Sequence, residues 1–89
     1  MILEITSKNP LVEEGLKKIV AHNKDDFMKA GFVCNAAKVS EGVYHLEFAF
    51  GNPMAEAGMT NPLGMRLMIR SIKKQFRKFA EDVEVRKVK

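Results

Sequence analysis

The amino-acid sequence predicts an α+β domain with the element order β-α-β-β-α-β. This is the split βαβ, or ferredoxin-like, plan: a four-stranded antiparallel sheet with two helices on one face. Three observations carry that reading. Short stretches of alternating apolar and polar residues open the chain, close it, and flank "SEG" at residues 40–42. Two longer stretches of 3.6-residue periodicity lie between them. An Asn-Pro pair, at residues 9–10 and 61–62, precedes each periodic stretch.

Met1 to Ser7 forms the first strand, with Leu3 and Ile5 alternating with Glu4 and Thr6. Asn9-Pro10 then starts a helix. Asparagine accepts from free helix amides, and proline at the first position forfeits no hydrogen bond. Val12, Leu16, Ile19, Val20, Phe27 and Ala30 follow at helical spacing. One long helix is favoured, with His22-Asn23 as its weakest point and Gly31 as its left-handed stop; the alternative is that Asn23 caps a second short helix starting at Lys24. Phe32 to Val39 and Val43 to Phe50 make a hairpin around a three-residue loop, with Gly42 in the left-handed position. In that register Phe32, Cys34 and Ala36 share a face with Tyr44, Leu46, Phe48 and Phe50, and this more apolar face turns to the helices.

"FAFGNPMAEAGMTNPLGMRLMIR" follows, from Phe48 to Arg70. Asn52-Pro53 is expected to start a single turn, "PMAEA", that Gly58 ends. Met54 is expected to cap the helix–sheet core. Asn61-Pro62 starts the second helix, which reaches about Glu81, with Met65, Met68, Ile69, Ile72, Phe76, Phe79 and Val83 as its apolar stripe. "DVEVRKVK" closes the chain as a charged strand. In the split βαβ plan the first and third strands are central. The third is the most apolar, and the fourth carries Arg86, Lys87 and Lys89, as edge strands often do.

Eighty-nine residues make one domain, 1–89. Hydrophobic content of 46% and charged content of 29% are those of an ordinary globular chain. The N-terminal residues lack the basic and apolar regions of a signal peptide, and no apolar run is long enough to cross a membrane. A single cysteine excludes an internal disulfide and favours a reducing, cytoplasmic setting. The net charge of +4, with a pI near 9.4, tilts the chain toward anionic partners.

The sequence argues against an enzyme. Its two histidines, His22 and His45, fall on a helix flank and on the open sheet face. Cys34, His45 and Glu47 cannot act together, because strand alternation puts Cys34 and His45 on opposite faces. No metal motif and no phosphate-binding glycine loop is present, so no metal and no cofactor are expected. "EGVYHLEF" resembles the third-strand octamer of RNA-recognition domains at Gly42, Leu46 and Phe48. That family stacks bases on sheet aromatics, whereas Val43 and His45 stand at the two stacking positions here. The resemblance covers one strand.

The candidate site is the second helix. Arg66, Arg70, Lys73 and Arg77 fall on one line at helical spacing, and Lys74 and Lys78 flank them. Like charges so placed repel by a few tenths of a kcal/mol per pair. Glu81 offers the one helical partner, to Arg77. Leu63 and Leu67 project from the same basic side, which suits a protein interface better than a nucleic-acid backbone. The amides of residues 63–65 converge with Arg66 and Arg70 and form a candidate anion site. The expected function is a small regulatory or interaction module. It would dock an acidic protein surface, as an inhibitor of a larger machine would, or pair with a second copy through the open sheet face. The alternative is a nucleic-acid-binding domain that lays the same helix on phosphates.

Overall fold

A computed structural model describes residues 1–89. The elements are β1 (Ile2–Thr6), α1 (Leu11–His22), α2 (Lys24–Lys29), β2 (Phe32–Ser40), β3 (Val43–Phe50), α3 (Pro53–Thr60), α4 (Pro62–Phe76) and β4 (Glu84–Lys87). The four strands form one antiparallel sheet in the order β2-β3-β1-β4, so β1 and β3 are central. Both β1 and β2 run antiparallel to β3, so they are parallel to each other with β3 between them. α1 and α2 make that crossover, and α3 and α4 make the equivalent one from β3 to β4.

Period two decides which side of the sheet is buried. Leu3 and Ile5 of β1, Phe32 and Cys34 of β2, Tyr44, Leu46 and Phe48 of β3, and Val85 of β4 all face the helices and are buried. Val12 and Leu16 of α1 and Met65 and Phe76 of α4 close over them. α1 and α4 meet at Gly15, where an added Cβ would lie 2.8 Å from the Phe76 ring. Glycine lets α1 approach that ring, and Phe76 fills the crossing at 1% exposure.

The ends of the crossovers are tied together through side chains. The Ser7 hydroxyl donates to Asp82 Oδ1 at 2.6 Å, and the Lys8 amide donates to Asp82 Oδ2 at 2.7 Å. Asn9 Nδ2 donates to the Phe79 carbonyl at 2.9 Å, while Asn9 Oδ1 accepts from the Leu11 amide at 2.9 Å. The β1–α1 corner is thereby clamped to the segment between α4 and β4. The Lys8 amide first, and the Ser7 hydroxyl second, hold the Asp82 carboxyl below the usual range.

The hairpin register pairs Cys34 with Phe48 and Ala36 with Leu46, as the alternation requires. Strand β2 continues to Ser40, opposite Val43, and the ladder shifts register between Lys38 and Ser40. The turn is therefore Glu41-Gly42 with a bulge before it, one residue tighter than expected. Gly42 has φ +74, and a Cβ there would sit 2.9 Å from the Ser7 carbonyl, so glycine is required twice over.

Four further expectations about the fold need correction. The first helical stretch is two helices, because Asn23 leaves helical geometry (φ −101, ψ 9) and its side-chain amide folds back onto the Ile19 carbonyl at 2.9 Å. Gly58 does not end a single turn. α3 runs through it to Thr60, and Asn61 closes the helix instead by donating to the Gly58 carbonyl at 2.8 Å. Met54 does not cap the core and is 86% exposed. Finally, α4 stops at Phe76 rather than Glu81. The Phe79 and Ala80 amides both turn back to the Phe76 carbonyl, and the burial of Ala80 and Val83 draws the chain down to the sheet.

Candidate functional site

Helix α4 is positioned by its first residue and its cap. Asn61 Oδ1 accepts from the Gly64 amide at 2.8 Å, and Pro62 opens the helix. A Cβ at Gly64 would collide with the Gly58 carbonyl, so α3 and α4 meet backbone to backbone at their junction. From this start the period of 3.6 sends Met65, Met68, Ile69, Ile72 and Phe76 to the core. Leu63, Leu67, Arg70 and Lys74 fall on the opposite side.

That outer side is cationic and has almost no compensation. Arg66, Arg70, Lys74, Arg77 and Lys78 are exposed and have no carboxylate within 4 Å. Lys73 alone has a partner, Glu84 of β4, at 3.6 Å. The pairing expected between Arg77 and Glu81 is not formed. Six of the fifteen cations lie between Arg66 and Lys78 with no acid among them. The other nine face all eleven acids, so the rest of the chain is net −2 and this one segment makes the protein basic. Leu63 and Leu67 are 64% and 54% exposed within it. Arg77 and Lys78 sit on the tightened turns just past the helix and continue the basic surface there.

Two of the three amides expected of an anion site are already bonded at the helix start. The Gly64 amide is taken by Asn61 Oδ1, and the Met65 amide donates to the Asn61 carbonyl at 2.9 Å. The C-terminal carbonyls of α3 also crowd that end through Asn61 Nδ2. The cations of α4 thus face outward as a surface and do not gather around a pocket.

Two arrangements were not visible in the sequence. On the open sheet face, Glu4 of β1 bridges His45 of β3 and Arg86 of β4. His45 Nε2 lies 3.2 Å from Glu4 Oε2, and Arg86 donates to Glu4 Oε1 at 3.1 Å. The His45 contact first, and the Arg86 contact second, hold the Glu4 carboxyl below its ordinary value. The only signal was that Glu4, His45 and Arg86 have the same strand parity. The second arrangement is an apolar groove of about 270 Å³ between α1–α2 and α4. Phe32, Leu46 and Phe48 line it from the sheet, with Ile19, Met59 and Ile72 among its helical residues.

Cys34 is buried on the helix side of β2, away from His45, and burial pushes its thiol up to about 11. No three His, Cys, Asp or Glu side chains converge as metal ligands would, and no helix is long and apolar enough to cross a membrane. No family model, curated protein or solved structure matches the chain.

Proposed function

We propose that this chain is a small interaction module that docks an acidic protein surface through the outer side of α4 and regulates the partner by occupying it. The observation that carries this reading is the cation row, in which Lys73 alone has an acidic partner, with two exposed leucines set among it. Unpaired cations speed encounter with an acidic surface, while buried leucines supply affinity that salt does not screen. The strand order β2-β3-β1-β4 and the two crossovers support reading the scaffold as the ferredoxin-like split βαβ plan. In that plan α4 is a rigid rod laid on the sheet, and its outer side is presented intact.

Two substitutions test the function. Seating Leu67 in an apolar pocket contributes about 2 kcal/mol, so Leu67→Asp weakens a protein complex roughly 30-fold, even at low salt. Arg70→Glu weakens it mainly through association rate, and less so in high salt. A complex insensitive to Leu67→Asp, abolished by Arg70→Glu and falling steeply with salt would instead mark a nucleic-acid partner.

A further inference from the structure

We propose that β2 is a docking edge, where an extended segment of a partner protein carrying a carboxylate adds to the sheet as a fifth strand. The two edges of this sheet are built differently. β4 has four residues, three of them charged (Glu84, Arg86, Lys87), which is how an edge is kept from pairing. β2 has nine residues with Lys38 as its one charge, and Val33 and Val39 are 46% and 55% exposed.

The hydrogen-bond alternation shows what β2 presents. The Gly51 amide donates to the Gly31 carbonyl. By the antiparallel pattern and the register, Val33, Asn35 and Ala37 then exchange bonds with Ala49, Glu47 and His45. The amides and carbonyls of Phe32, Cys34, Ala36 and Lys38 therefore point away from β3, and none of them bonds elsewhere in the backbone. Cys34 is only 7% exposed, so its outward amide and carbonyl sit in a sheltered place without a protein partner.

A groove of about 410 Å³ runs along this edge, walled by Val20, Ala21, Phe27 and Met28, with Lys17 and Lys24 beside them. An added strand would satisfy the free backbone groups and send alternate side chains into that groove. No carboxylate lines the groove itself; Lys17 is paired with Glu13 at 3.7 Å, whereas Lys24 has no acid within 4 Å. A partner strand with one carboxylate among apolar side chains on its inner face matches the unpaired Lys24 and the apolar wall beside it. This edge lies across the sheet from β4, against which α4 packs, and the inference stands apart from the role of the basic helix.

The probe is a blocked heptapeptide, Val-Thr-Glu-Thr-Val-Thr-Val, with Val, Glu, Val and Val on one face. The control carries Lys in place of Glu. Saturable binding of the Glu peptide that slows amide exchange at Phe32, Cys34, Ala36 and Lys38 is expected, with the Lys peptide about tenfold weaker. Ala36→Pro removes one outward donor and no bond to β3, so it should abolish binding while leaving the circular dichroism unchanged. Should that variant not fold, Lys24→Glu serves instead and should reverse the preference between the two peptides. No saturation at millimolar peptide overturns the proposal, as does protection elsewhere in the chain. So does a wild-type dimer in sedimentation that Ala36→Pro dissociates, since the edge would then belong to a second copy.

Discussion

Gly15 is the residue on which the packing of the helical layer can be judged, because two effects of opposite sign meet there. It lies inside α1, where replacing glycine by alanine normally gains about 1 kcal/mol of helix propensity. In this fold the new methyl would come 2.8 Å from Phe76 Cε1 and 3.3 Å from Phe79 Cζ. Phe76 is 1% exposed, and its ring packs edge-on to Phe79 with centroids 5.7 Å apart, so it has nowhere to move. Overpacking of this kind costs about 1–3 kcal/mol, and Gly15→Ala should be neutral to about 2 kcal/mol destabilising. That is a large part of the roughly 4–13 kcal/mol expected of a domain this size. Phe76→Leu removes the obstructing ring atom. In that background Gly15→Ala should recover its propensity gain and become stabilising, a coupling of about 1–3 kcal/mol. Urea unfolding of the four proteins of this cycle, followed by circular dichroism, measures it directly. A Gly15→Ala single variant with a raised midpoint, or the same effect in both backgrounds, would refute the close crossing of α1 over Phe76.

Two further outcomes follow from the titrating groups. Asp82 has a depressed carboxyl pKa, so it contributes stability that is complete above the unfolded carboxylate value near 4 and fades as pH falls through its folded value. Stability measured from pH 7 down to pH 2 should fall less steeply in Asp82→Asn, and parallel curves would remove the Ser7–Asp82–Lys8 clamp from the account. With its thiol pushed up to about 11, Cys34 is thiolate in about one molecule in a thousand at pH 8. Its alkylation should be far slower in the native protein than in urea, and equal rates would mean that β2 does not bury it.

Local chemistry was legible in the sequence where single residues decide it. Asn52 and Asn61 each accept from the amide three residues on, and Gly31 and Gly42 have φ of +96 and +74. The burial of alternate β residues, and the outward side of α4 with Leu63 and Leu67, also followed from period alone. The helix ends did not. Gly58 stays helical because the next stop signal, Asn61, caps the carbonyl behind it, and α4 ends where burial of Ala80 outweighs continued helix. Contacts between distant residues were least legible. Glu4 meets His45 and Arg86 only once three strands are in register, and Ser7 finds Asp82 across nearly the whole chain. The groove between α1–α2 and α4 gathers residues from both helical segments and from the sheet, a long-range placement that no local residue pattern encodes.

The proposed function requires that the outer side of α4 meet a protein. Its most direct test is capture of a partner from native lysate by the tagged wild-type chain and by Leu67→Asp, each with and without nuclease. A defined protein complex that resists nuclease and is lost with Leu67→Asp at low salt is expected. A complex that disappears on nuclease treatment, or one that Leu67→Asp and Arg70→Glu both leave intact, would contradict it.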